Sequence, residues 1–270
     1  MERRRQFVIW PILIAGLIVG FKYCSSEKIT NPETGRTTRV ALSSEQEEQL
    51  GLQSYEQVLA EEEVIPSGKE HDVVVRVARR LAGATGSASD LHWQVNLVRS
   101  SQVNAFCLPG GKIVVYSGIL PYAQTEAGLA AVMGHEMAHA VARHGSQRLL
   151  RTSLAQTLLA GASLSIGNMD PQERQTIMAA LGAGAQYGII LPFSREHETE
   201  ADQMGLLYMA RAGYDPREAI SFWERMSSAG GSQPPEFAST HPSHGRRIED
   251  LRSFMPKALA EYEKAGAASK

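Results

Sequence analysis

His135, Glu136 and His139 fall in the stretch AVMGHEMAHAVARHG, residues 131–145, with the spacing H-E-x-x-H. On a helix, residues four apart lie one turn above each other on the same face, so the two imidazoles can share one metal ion. Glu136 follows the first imidazole and projects beside that ion, toward a water molecule upon it. Metal-assisted hydrolysis needs those parts: neutral nitrogen ligands on a rigid element, and a carboxylate placed to take a proton. The plainer alternative is an amphipathic helix with two surface histidines. Leu129, Val132, Met133, Met137 and Val141 argue against it, because their apolar stripe buries the helix and buried histidines need partners.

Two histidines leave a zinc ion short of a third protein ligand. The segment after Pro192, SREHETEADQMGLLYMARAG, reads as a helix ending at Gly213 and offers Glu196, His197, Glu198, Glu200 and Asp202. Glu198 and Asp202 are four apart and share a face. Glu198 is therefore the expected third ligand, with Asp202 as the acceptor that fixes a ligand ring, that of His135. Glu196 and Glu200 pair on the other side of the helix, where a solvated face is the expectation.

The elements that must position these groups follow from the rest of the chain. Its 270 residues suffice for one good-sized domain with an appendage, and a formal net charge of -2 without long basic runs excludes a nucleic-acid footprint. Cys24 and Cys107 are too few for a disulfide scaffold. At the N-terminus, Arg3, Arg4 and Arg5 precede the apolar run Phe7–Phe21, read as an uncleaved membrane anchor within residues 1–24, with a cleaved signal segment as the competing reading. The arginines favour a cytoplasmic N-terminus and a catalytic domain on the extracytoplasmic, periplasmic side. Residues 25–42, with NPETG in the middle, read as a linker; residues 43–262 form the domain and 263–270 a flexible tail.

Within the domain, capping-box patterns at Ser43 and Ser44 start a helix running to about Glu63, and a second helix follows from Lys69 to Ala82. Leu91, Trp93, Val95 and Leu97 alternate as a strand, and Val103–Leu108 and Lys112–Tyr116 flank a Pro109-Gly110-Gly111 turn. By spacing alone that pair is a plain hairpin. Thr125 is the expected cap of the motif helix. Leu149–Ile166 and Gln172–Leu191 read as a helical hairpin, packed over the core or touching a membrane. The class is α+β, mostly helical.

GHEMAHAVARHG, EHETEADQMGL and STHPSHGRRIEDL together resemble the zinc metalloendopeptidase family of the Ste-type CAAX prenyl protease, HtpX and the Oma-type membrane quality-control proteases, with BepA- and LoiP-like periplasmic members nearest in layout. The likeness covers Ser43 to the end. It implies a gluzincin-type zinc core with a small sheet beside the active-site helix, ligands His135, His139 and Glu198, and Glu136 as base. It also implies that Asn104, Ala105 and Phe106 lie on a strand edge along which a polypeptide substrate extends. A single N-terminal segment in place of a multi-helix membrane chamber departs from the CAAX branch and speaks against prenylated substrates.

The implied activity is hydrolysis of internal peptide bonds in unfolded or damaged envelope proteins. A metal-stabilised, chaperone-like binding module with little resting proteolysis is the alternative. Within the resemblance, Thr240, His241 and Pro242 match a Thr-His-Pro segment, followed by Arg247. His241, with Arg247 close by, is read as the donor to the oxyanion; the competing role, a resting ligand in the open metal position, predicts the opposite effect of its removal.

Overall fold

The computed structural model describes residues 8–86, 91–185, 193–228, 237, 241 and 245–268. Their elements run α1 (Trp10–Ser25), β1 (Glu27–Thr30), β2 (Thr37–Val40), α2 (Ser44–Glu61), β3 (Val64–Ile65), α3 (Lys69–Ala84), β4 (Gln94–Val98), β5 (Ala105–Leu108), β6 (Lys112–Tyr116), α4 (Leu120–Ala123), α5 (Glu126–Val141), α6 (His144–Ser165), α7 (Pro171–Ala185), α8 (Arg195–Arg211), α9 (Glu218–Ser228) and α10 (Arg247–Ala268). The expected α+β, mostly helical class is what forms. Two compact units divide the chain, one of residues 1–30, 36–43 and 145–191, the other of 31–35, 44–144 and 192–270.

In the first unit, α1 takes up most of the apolar N-terminal run. Trp10, Leu13, Ile14, Leu17, Ile18 and Phe21 are exposed, while Ala15 is buried. A side chain on Gly161 of α6 would stand 2.4 Å from the Ala15 Cβ, so glycine there lets the two helices touch. α1 has 16 residues, about 24 Å at 1.5 Å per residue against a hydrocarbon layer of about 30 Å. No helix among the described residues is long and apolar enough to cross a membrane. The expected linker is instead a hairpin, β1 pairing antiparallel with β2 from Glu27↔Val40 to Thr30↔Thr37. Its β-branched Ile29, Thr30, Thr37, Thr38 and Val40 favour strand, and Gly35 in the connecting segment has φ +70°. Pro171 opens α7 and Asp170 Oδ1 accepts from the Gln172 amide at 2.9 Å. The expected second arm reaches Ala185; its remainder to Leu191 lies outside the described residues.

The second unit holds a four-stranded sheet in the order β3-β4-β6-β5, with β4 and β6 parallel and the other pairs antiparallel. All five residues of β6 are buried. α3 presents Val74, Val77, Ala78 and Leu81 at helical spacing to the core, which they share with Leu97, Ile113 and Val115 of the sheet and Leu129, Val132, Met133 and Met137 of α5. Tyr55, Val98, Val114 and Tyr116 form a smaller cluster against which Val58, Leu59 and Phe106 pack. α5 is the hub, packed on α3, α8, α9 and β5. Residues 263–268 of the expected tail are helical, since α10 continues to Ala268.

Candidate metal centre

α5 begins where the Thr125 Oγ1 accepts from the Gly128 amide at 3.0 Å, the expected cap, with Glu126 in the first turn. α8 begins likewise, Ser194 Oγ accepting from the His197 amide at 3.3 Å. The helices meet where each has a glycine. A Cβ on Gly205 would stand 3.0 Å from the His135 amide nitrogen, and one on Gly134 would stand 3.3 Å from the Gly205 carbonyl oxygen. Backbone therefore lies on backbone directly beside His135. That closeness lets short side chains from both helices converge.

His135, His139, Glu198 and His241, all buried, each offer one ligand atom, and these atoms lie within 4.8 Å of one another. His135 Nε2 is 3.1 Å from His139 Nε2 and 3.2 Å from His241 Nδ1. Glu198 Oε1 is 3.1 Å from His241 Nδ1 and 3.5 Å from His139 Nε2, and Glu198 Oε2 is 3.4 Å from His135 Nε2. Donors about 2.0–2.1 Å from a tetrahedral ion stand about 3.3 Å apart, and these separations are of that size, Glu198 facing His135 with one oxygen and His139 and His241 with the other. Protons alone fill the space poorly: among the described residues, Glu198 Oε2 is buried with no hydrogen-bond partner. The residues fit a metal ion.

Outside the donors, His135 Nδ1–H donates to Asp202 Oδ1 at 2.8 Å, the contact read from the spacing of α8. Arg247 Nη2 donates to the same oxygen at 2.5 Å, and its guanidinium stacks 3.4 Å over the Trp223 ring of α9. Phe237 stacks on the His241 ring, centroids 4.4 Å apart and planes 18° apart, and its carbonyl accepts from the His241 amide at 2.9 Å. Thr240 and Pro242 lie outside the described residues. Burial pushes the His135 imidazole down, but Asp202 and Glu198 outweigh it and bring it up to about 9. Burial takes His139 well below its ordinary value. Glu198 would be raised by burial, yet contacts to His135, His139 and His241 hold it far below the carboxylate range.

Glu136 is buried, its Oε1 without a hydrogen-bond partner among the described residues and 3.4 Å from His241 Nε2. Burial raises its carboxyl above the usual range, partly offset by His241 and His135. The Cys107 backbone hydrogen-bonds to it, which brings β5 against the carboxylate. β5 is the last strand of its sheet, with β6 on one side and, among the described residues, no strand on the other. Asn104 O accepts from the Tyr116 amide at 3.1 Å, and Ala105 pairs with Val115 and is buried. The Phe106 side chain turns the other way, into the cluster with Tyr116. Cys107, two residues from Ala105 and on its face of the strand, is the neighbour of Glu136 that the sequence reading passed over; strand alternation pointed to it. Trp223 is a further member of the site, and nothing in its spacing marks a platform for Arg247.

Glu196 is exposed as expected. Glu200 is not: it is buried and accepts from Asn31 Nδ2 at 2.8 Å and Thr34 Oγ1 at 2.6 Å. The helical phasing was sound, but the face it pointed to is covered by residues 31–35.

The profile of peptidase family M48 matches residues 69–255. The chain belongs to peptidase family M48. Mitochondrial metalloendopeptidase OMA1 of Schizosaccharomyces pombe is 35% identical over 269 residues, 97% of this chain and 75% of that protein. Mitochondrial metalloendopeptidase OMA1 of Saccharomyces cerevisiae is 36% identical over 193 residues, 66% of this chain and 52% of that protein. The Beta-barrel assembly-enhancing protease of Yersinia pestis is 30% identical over 228 residues, 82% of this chain and 46% of that protein. The chain thus spans three quarters of the first relative and about half of the other two. It carries the metalloprotease domain of family M48, and the matched residues include the H-E-x-x-H stretch.

Proposed function

We propose that the chain is a zinc-dependent endopeptidase in which His135, His139 and Glu198 hold the ion and Glu136 is the base. The convergence of these buried donors, whose ligand atoms with that of His241 lie within 4.8 Å of one another, carries the reading. When bound, zinc supplies a Lewis acid that acidifies water and polarises the scissile carbonyl. Glu136 takes the proton of the attacking water and returns it to the leaving amine; burial, by raising its pKa, suits it to both transfers. Asp202 keeps the His135 ring turned with Nε2 inward, and Arg247 holds Asp202. Arg247 Nη2 is engaged on the Nδ1 side of His135 and Nη1 stands 3.7 Å from Glu198 Oε2, so the guanidinium lies behind two of the metal-site side chains, which supports a positioning role. The β5 edge from Asn104 to Phe106 receives an extended polypeptide by strand addition, its backbone more than the Phe106 ring making the contact.

His241 is read here as a resting ligand. Its Nδ1 stands among the donor atoms at 3.1–3.2 Å, where an oxyanion donor would stand farther out. Substrate must then displace it. The substrates are unfolded or damaged envelope proteins; the likeness to the Beta-barrel assembly-enhancing protease of Yersinia pestis favours that class. The exposed apolar side chains of α1 favour contact with a membrane, with the domain on the periplasmic face.

The deciding experiment is metal analysis beside casein turnover. Glu136→Gln is expected to abolish hydrolysis while zinc stays near one per chain, and loss of metal would refute the role given to Glu136. For sidedness, an alkaline phosphatase fused after Lys270 is expected to be active in a bacterial host; an inactive fusion on a membrane-bound chain reverses the orientation.

A further inference from the structure

His139 has an outer support as His135 does, and it is built from residues to which no role has been assigned. His139 Nδ1 lies 2.9 Å from His144 Nδ1. His144 Nε2 lies 3.0 Å from Glu200 Oε2. Glu200 Oε1 accepts from Asn31 Nδ2 and Thr34 Oγ1. The orientation of Asn31 is not free, since its Oδ1 accepts from the Glu33 amide at 2.9 Å and its Nδ2 must therefore face Glu200. Glu33 is itself clamped to Arg211 by two bonds of 2.6 and 3.0 Å. The His144 ring stacks on His197 at 4.3 Å with planes 18° apart, which fixes its plane. His144 and Glu200 are both buried.

We propose that the segment Asn31–Gly35 is a working part of the metal site: through Asn31 and Thr34 it holds Glu200, and Glu200 through His144 sets the ring of His139. This rests on the reading of His139 as a ligand through Nε2. A ligand bound so keeps its proton on Nδ1, and His144 Nδ1 must accept it. The His144 proton then sits on Nε2 and is donated to Glu200, whose other oxygen takes the two donors of the segment. From the ligand to Glu200 each proton points outward, and the protons of Asn31 and Thr34 meet Glu200 from the other side. His135 has Asp202 and Arg247 in the same office, so both imidazoles are oriented from behind by a carboxylate that is itself held. Glu200, His144, Asn31 and Thr34 are positioning residues.

The test uses the full chain, with zinc affinity measured by competition with a chromophoric chelator and the visible absorption of the cobalt-substituted protein as a report on His139. Glu200→Gln keeps the volume but turns one acceptor into a donor, and fixed donors face both ends of the amide. Zinc binding is expected to weaken by ~10-fold or more, with a changed cobalt spectrum. Thr34→Val should move both readouts the same way by less, and Glu196→Gln, on the exposed face of α8, should move neither. A role in stability alone would lower the unfolding temperature of the metal-free protein and leave the cobalt spectrum as it was. Zinc affinity of Glu200→Gln within about two-fold of wild type, with an unchanged spectrum, overturns the proposal. If Glu200→Gln does not fold, unchanged affinity and spectrum in Thr34→Val overturn it. A wild type that binds no zinc refutes the metal centre itself, which is a separate outcome.

Discussion

At the scale of single residues, the site is a set of short distances whose meaning depends on which atom faces which. His241 illustrates this. Its Nδ1 sits with the ligand atoms and its Nε2 faces Glu136 at 3.4 Å, so one ring covers both the fourth metal position and the base. A resting ligand and an oxyanion donor predict opposite effects of removing it. On the geometry, His241→Ala is expected to raise basal cleavage of casein by about ten-fold or more, the displacement of a competing ligand being worth about 1.4 kcal/mol per decade. Zinc should be retained through His135, His139 and Glu198. A fall in kcat of ~100-fold with zinc retained would return His241 to the donor role.

At the scale of elements, the contact of α5 with α8 sets the spacing of everything else. Gly134 and Gly205 allow backbone to approach backbone at His135, and no side chain can be added there without separating the helices. Gly205→Ala would place a methyl 3.0 Å from the His135 amide nitrogen, against backbone that cannot turn aside. The expected cost is about 1–3 kcal/mol, the usual range for overpacking a core. A lowered urea midpoint and weaker zinc binding should appear together, because the same displacement parts Glu198 from the histidines. Equal stability in the two proteins would mean that the helices yield at this point.

At the scale of the molecule, the donors come from three separate places in the chain: α5, α8 and the segment at His241. Each lies in the second compact unit. An ion bound by all of them binds the folded chain and not the unfolded one, so it adds to stability by mass action. Stripping the protein with a chelator is expected to lower the unfolding temperature by several degrees, a few kcal/mol shifting a domain of this size by about 2–4 °C each. Zinc, and not magnesium, should restore it. An unfolding temperature indifferent to chelation would count against a four-donor centre.

The sequence by itself placed His135 with His139, and Glu198 with Asp202, on shared faces, because helical periodicity converts spacing into a common face within one element. It also determined the Thr125 cap, the turn before β6 and the helical class. It read residues 25–42 as a linker, since turn residues at 31–35 masked the β-branched flanks on either side. Tertiary structure alone decided what each face meets. Periodicity placed Glu200 away from Glu198, correctly, but no local rule says that Asn31 and Thr34, some 170 positions earlier, cover that face and make it interior. Phe106 turned away from Glu136 and Cys107 toward it for the same reason, since a strand's two sides are equivalent until something packs on one of them. Arg247 stands behind Asp202 because Trp223 offers it a surface, a contact between helices that are neighbours only in the fold.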